Sequence, residues 1–263
     1  MNTGVRTEAD AALALLGDYV NNQSVSLKTS AIIGLGLAYA GSHREDLISL
    51  LLPHVADDAA PMEISAFASL ALGFIFVGSE NGEIASTILQ TLMERDDNAL
   101  DEKWGRFMAL GLGLLYLGLK LSVFFRIFPD ARCPRFTGLQ DSDAKDATIE
   151  LLKAIEHPIS KTAQVLVEVC SFAGSGNVLK VQTMLHHCDE HIDMSKDKDK
   201  AKENKENPES MESTEPKQDD TFQAFAVLGI ALVAMGEDIG AEMSMRQFNH
   251  LACPFLSSFS STC

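Results

Sequence analysis

Blocks in which apolar side chains crowd around small ones recur along the chain, each closed by a glycine. AIIGLGLAYAG ends at Gly41, ASLALGFIFVG at Gly78, MALGLGLLYLG at Gly118 and AVLGIALVAMG at Gly236, and a weaker copy, VLVEVCSFAG, ends at Gly174. With the closing glycines in register, Gly34, Ala71, Gly111, Val167 and Gly229 stand seven residues earlier, and Gly36, Gly73, Gly113, Val169 and Ala231 five earlier. Two residues before the close stand Tyr39, Phe76, Tyr116, Phe172 and Ala234. A block apolar on every side predicts a buried helix, and a glycine just past its last turn predicts a left-handed end. Glycine inside a helix costs about 1 kcal/mol relative to alanine. Two or three per block therefore predict that neighbouring helices approach each other backbone to backbone.

Each block is followed by a polar turn (GSHRED, GSENGE, GSGN, GEDIG) and, most clearly in the first two, by a segment with a single apolar face: EDLISLLLPHV and GEIASTILQTLMER. The pattern predicts a helical hairpin whose second helix is the outer layer, with Glu45, Asp46, Glu83, Gln90, Glu94 and Arg95 on its polar side. Closing glycines are separated by 37, 40, 56 and 62 residues, so the last two gaps carry surplus. The surplus lies at Leu119 to Leu139, rich in Phe and Arg and broken by Pro129 and Pro134, and at Asp189 to Asp220. The expected fold is all-α, an α-solenoid of helical hairpins. Its parts are repeats over 1–118, an atypical insert over 119–142, a repeat over 143–188, a charged loop over 189–220, a repeat over 221–251 and an atypical tail over 252–263.

Composition narrows the function. With 263 residues, 46% hydrophobic and 22% charged, the chain is neither wholly disordered nor collagen-like. Its net charge of −16 argues against broad nucleic-acid binding, which needs a surplus of Lys and Arg. Five cysteines, Cys133, Cys170, Cys188, Cys253 and Cys263, form no CxxC pair and no disulfide framework. Residues 1–20 lack the organisation of a signal peptide. The stretch from Phe107 to Phe128 is apolar enough to tempt a membrane reading, but its first half belongs to a repeat. Residues 189–220 hold twelve acidic and six basic side chains and only Ile192 as a branched aliphatic, which predicts a solvated, disordered loop.

Candidate chemistry is sparse. His186, His187, Cys188 and His191 are dense but lack a second ligand pair at zinc spacing, and a helix end is the better reading. GSGN has no following Lys and Ser/Thr to make a phosphate cradle. His157 before Pro158 reads as a turn residue, and Cys170 as a core thiol. No nucleophile with a base and an orienting group is discernible, so no catalytic, metal or cofactor site is expected.

The blocks resemble the proteasome/cyclosome repeat, and the order of units is similar to that in the large non-ATPase scaffold subunits of the proteasome regulatory particle base. The likeness covers Gly4 to about Gly118 and Asp143 to Leu251, on ALALLGDYV, GLGLAYAGSHREDLISLLLP, STILQTLMER, AIEHPISKTA, CSFAGSGNVLKVQ and VLGIALVAMGEDIGAEM. It implies a partial arc of a toroid and a non-catalytic scaffold in the cytoplasm and nucleus. Such a scaffold serves ATP-dependent degradation of ubiquitinated proteins. The implied partners are the ATPase ring and other regulatory-particle subunits, ubiquitin, shuttle proteins with ubiquitin-like domains, and a deubiquitinase. Neither nucleic acid nor a membrane is implied.

The family's receptor site for ubiquitin-like domains uses acids on successive outer helices. The matching positions are Glu83, Gln90 and Glu94, whose offsets of 7 and 11 keep them on one helical face. Gln90 is neutral where the family has an acid. Glu8 with Asp10, and Glu45 with Asp46, would stand on neighbouring outer helices. The rival readings are the second large repeat subunit, which should lack AIEHPISKTA and GEDIGAEM, a generic helical-repeat interaction protein, and an enzyme with a hidden site. The chain starts part-way through a repeat and holds about five units, the expectation for a fragment. The insert and the tail ACPFLSSFSSTC read as foreign sequence, as translated intron would.

Overall fold

In the computed structural model, which describes residues 10–117, 143–189, 221–235 and 242–246, the described part of each glycine-closed block holds a helix, and the segments EDLISLLLPHV and GEIASTILQTLMER after the first two blocks each form a second one. The inner helices are α2 (Val25–Ala38), α4 (Met62–Ile75), α7 (Lys103–Leu115), α9 (Pro158–Ser171) and α11 (Thr221–Ala234). The outer ones are α1 (Ala11–Val20), α3 (Asp46–Val55), α5 (Gly82–Glu94), α8 (Asp143–Lys153) and α10 (Val178–Asp189), and a single turn, α6 (Asp97–Leu100), leads into α7. Among the described residues there is no strand, and no helix is long and apolar enough to cross a membrane. The insert, the charged stretch beyond Asp189 and the tail lie outside the described residues, as do Glu8, Gly118, His191 and Gly236.

Inner helices stand side by side in chain order, and α1, α3, α8 and α10 each lean on the inner helix of the following pair. The small residues decide the spacing. A Cβ added to Gly36 would sit 2.7 Å from the Ala71 Cα, one on Gly73 would sit 2.6 Å from the Gly111 carbonyl, and one on Gly229 would sit 2.3 Å from Val169. At each contact the position five before one closing glycine meets the position seven before the next. Backbone meets backbone at the first two contacts, and at the third Gly229 makes room for the Val169 side chain; in each case close packing replaces the lost helix propensity with dispersion contact.

The turns are shared between neighbours. Gly41, Gly78 and Gly174 have φ of +68°, +69° and +66°, and their N–H groups donate to the Phe74, Leu114 and Leu232 carbonyls at 2.9, 3.1 and 2.7 Å. Two residues later His43, Glu80 and Gly176, also at positive φ, donate to the next carbonyls along, of Ile75, Leu115 and Val233. Each turn thus satisfies carbonyls that the end of the next inner helix would otherwise leave bare. The two glycine N–H groups of GSGN are used in this way, and those of Ser175 and Asn177 bond within the turn, to the Phe172 carbonyl and Ser175 Oγ.

Burial on all sides holds in the middle of the row and not at its ends. α4 and α9 have inner neighbours on both flanks and few open positions, whereas α2 and α11 have one each. Leu27 on α2 is accordingly 50% exposed, and Leu228 on α11 also 50%. The outer position of the third hairpin is filled by α8, which packs beside α5 and on α9. Inner-to-outer connections run from 38 to 46 and from 75 to 82 in the first two pairs, but from 115 to 143 in the third. The 119–142 surplus therefore falls inside a hairpin turn, and both helices of that hairpin are present.

Candidate docking face

Helix α5 shows why its acids face outward. Asn81 caps it, its side-chain oxygen accepting from the Glu83 and Ile84 N–H groups at 3.0 and 3.2 Å. Ile84, Ala85, Ile88, Leu89 and Leu92 are buried, so Glu83, Gln90 and Glu94 share the exposed face. Gln90 Nε2 donates to Glu94 Oε1 at 2.8 Å, which fixes the carboxylate over the last turn. Met93, 46% exposed, places a flexible apolar side chain beside it.

The back of the helix is tied down. Thr91 Oγ1, buried, donates to the Val55 carbonyl at 3.2 Å, joining α5 to the end of α3. Arg95, expected on the polar outer side, turns inward instead. Its guanidinium donates to the carbonyls of Asp57, Asp58 and Ala60 and to Ser65 Oγ, at 2.6 to 3.1 Å. The α3–α4 connection offers more carbonyls than its own backbone satisfies, and an Arg fork at a helix end reaches several of them together. Sequence spacing places Arg95 on the polar side of the helix end without showing which way a long side chain folds back, and in the structure the helix stops at Glu94, one residue before it.

The neighbouring helices contribute unequally. Glu45 is exposed at the start of α3. Asp46 is also exposed, but Arg44 binds both its oxygens, reaches Asp10 as well and lies 5.0 Å over the Tyr39 ring. The hydrogen bonds from Arg44 hold the Asp46 carboxyl below its ordinary pKa and raise the guanidinium's own. Asp46 is thus half of an ion pair rather than an isolated negative charge. On α8, Asp146 and Glu150 are exposed, acids that the repeat pattern does not single out because they follow the insert.

The other candidates have structural surroundings. His157 caps α9: its Nδ1 accepts from the Ile159 N–H at 3.1 Å and its Nε2 lies 3.2 Å from Asp101. Burial pushes the Cys170 thiol up to about 12, which leaves it a core residue with little thiolate character. The rings of His186 and His187 are 6.4 Å apart, and among the described residues no three His, Cys, Asp or Glu side chains converge as a metal site. Lys145, only 5% exposed, has its Nζ 4.9 Å from the Phe172 ring centroid, a burial the sequence does not foretell.

Residues 30–64 match the model of the proteasome/cyclosome repeat. The chain is 42% identical over 254 residues to the "26S proteasome regulatory subunit rpn-1" of Neurospora crassa, covering 95% of this chain and 24% of that protein. It is 48% identical to the "26S proteasome regulatory subunit rpn1" of Schizosaccharomyces pombe, again covering 95% and 24%. Against the "26S proteasome non-ATPase regulatory subunit 2" of Dictyostelium discoideum identity is 40%, covering 95% and 23%. The chain spans about a quarter of the length of these relatives.

Proposed function

The chain belongs to the family of these 26S proteasome regulatory subunits, and on that premise we propose that it is a non-catalytic scaffold segment that docks ubiquitin-like folds on the outer face of α5. The observation that carries this reading is the pairing of an open face with a fixed back. Glu83, Gln90 and Glu94 are exposed together, while Thr91 and Arg95 lock the helix to the preceding repeat. A rigid acidic row suits a basic partner rim, because charge complementarity sets encounter rate and register, and preorganisation lowers the entropy lost on binding.

Shuttle proteins with ubiquitin-like domains fit this chemistry, and ubiquitin and a deubiquitinase carrying such a fold fit it in the same way. The ATPase ring and the other regulatory-particle subunits are the assembly to which the scaffold holds them, in the service of ATP-dependent degradation. The test is a titration of an isotope-labelled ubiquitin-like domain with the full chain, read by NMR. Broadening confined to the basic rim of the domain supports the reading, and a spectrum unchanged at excess chain refutes it.

A further inference from the structure

Helix α9 begins on a different kind of cap from its neighbours. Asn81 caps α5 and Asn177 caps α10 with side-chain amides, which neither gain nor lose a proton near neutral pH. At the head of α9 the cap is the His157 imidazole, whose Nδ1 accepts from the Ile159 N–H at 3.1 Å. An accepting Nδ1 puts the neutral ring's proton on Nε2, and that nitrogen lies 3.2 Å from Asp101 Oδ1, a carboxylate oxygen that can only accept. Both ring nitrogens are thus bonded in a single neutral tautomer, and the His157 side chain is only 9% exposed. Three elements meet at this joint: Ile159 Cδ1 lies 3.7 Å from the Cβ position of Gly105 on α7, and Ser160 Oγ donates to the Leu152 carbonyl at the end of α8.

A second proton on the ring breaks the arrangement. Imidazolium is a donor at both nitrogens, so no rotation of the ring gives the Ile159 N–H an acceptor. Ile159 is itself only 4% exposed, and its N–H lies in the first turn, where no intrahelical carbonyl reaches it. Protonation does strengthen the bond at Nε2, which becomes an ion pair, but Asp101 is 72% exposed. A buried donor left bare costs more than an exposed ion pair returns.

The other charges around the ring leave that sign unchanged. Glu102, Lys103 and Arg106 stand on the α7 side, Lys153 ends α8, and Glu156 and Lys161 flank the ring in sequence. Lys103 Nζ sits 4.4 Å over the Trp104 ring, Lys153 pairs with Glu150, and Lys161 Nζ sits 4.3 Å over Phe222. Glu102, Arg106 and Glu156 are exposed. Asp101 is the charged group bonded to the imidazole. We propose that His157 is a proton-operated joint: neutral, it fastens the first turn of α9 to the α6–α7 connection, and protonated, it releases that turn while keeping hold of Asp101. The joint lies in the middle of the row, between the third and fourth inner helices, and is independent of docking on α5.

Hydrogen–deuterium exchange of the full chain between about pH 8 and 5, where imidazoles ordinarily charge, tests it. With the intrinsic exchange rate divided out at each pH, protection at Ile159 should fall by at least about threefold relative to Glu83 and Ile84, whose Asn81 cap does not titrate. His157→Asn, which keeps a capping acceptor, should hold protection constant over the range. Asp101→Asn retains an acceptor for Nε2–H but loses the charge that favours imidazolium, and should move the fall to lower pH. Should circular dichroism show that His157→Asn has lost helix, Asp101→Asn and the ring-nitrogen chemical shifts of the wild type decide. Protection at Ile159 that stays level with the α5 control, a fall that His157→Asn shares or that Asp101→Asn leaves in place, or nitrogen shifts that put the neutral ring's proton on Nδ1 would each overturn the proposal.

Discussion

Tyr116 and Thr148 share a buried hydrogen bond of 2.6 Å between their hydroxyls, 32 residues apart and on opposite sides of the 119–142 segment. Tyr116 ends the inner helix α7 and Thr148 lies in the outer helix α8, so the bond closes the third hairpin across its enlarged turn. Burial raises the Tyr116 pKa, while the bond to Thr148 opposes that rise. Tyr116→Phe should cost about 1–2 kcal/mol by leaving a buried hydroxyl without its partner. Adding Thr148→Val to that variant should cost less than Thr148→Val alone. A chemical-denaturation double-mutant cycle measures the coupling, and additive losses would show that the two hydroxyls do not depend on each other.

The close approach of inner helices makes opposite predictions at two glycines. Gly73→Ala should destabilise by about 1–3 kcal/mol despite a better helix former, because its Cβ would meet the Gly111 carbonyl at 2.6 Å. Gly82→Ala, at the exposed start of α5 where a Cβ meets nothing within 4 Å, should stabilise by up to about 1 kcal/mol. Thermal unfolding of the two variants beside the wild type decides the matter, and equal shifts would contradict the packing account.

Glu80 holds φ of +52° so that its N–H can reach the Leu115 carbonyl, and its Oε1 is buried without a hydrogen-bond partner. Gly176 serves the same place in the later turn without that strain. Glu80→Gly should therefore leave the fold intact and raise its stability by up to about 1 kcal/mol. A clear loss in denaturant midpoint would mean that the Glu80 side chain contributes more than its backbone costs.

Cys170 supplies a prediction for alkaline pH. Burial raises its pKa from 9.0 to about 12, so the folded chain keeps a proton that the unfolded chain releases above about 9. Its contribution is complete below pH 9 and declines as pH rises towards 12. Cys170→Ala should unfold more easily at pH 7, since it leaves a small cavity, yet lose less stability than the wild type between pH 9 and 11. Parallel slopes in the two chains would contradict the assignment.

The repeat, its period and its close packing were legible because glycine inside an apolar helix sacrifices propensity that a closely packed neighbour can restore, and because the blocks could be laid in register. The turn interlock was half legible. Gly41, Gly78 and Gly174 announced left-handed ends, but the use of His43 and Glu80 at positive φ depends on where the next helix places its carbonyls. At the proposed docking face, the exposure of Glu83, Gln90 and Glu94 followed from α5 periodicity alone. The inward turn of Arg95 and the pairing of Asp46 with Arg44 did not, since both are set by contacts made after the helices pack.

The most direct test of the docking account is the affinity of a ubiquitin-like domain for the full chain with and without the α5 carboxylates. Titrations at low and high salt would compare the wild type with Glu83→Arg/Glu94→Arg and with Asp46→Asn. The double reversal should weaken binding by more than about tenfold, or about 1.4 kcal/mol. Asp46→Asn should change it less than the double reversal, because Asp46 is held in an ion pair with Arg44. Wild-type affinity should fall as salt rises, since exposed charges are screened beyond about 8–10 Å at physiological ionic strength. A double reversal that binds as tightly as the wild type in low salt would contradict the account and leave the outer face of α5 as a solvated surface.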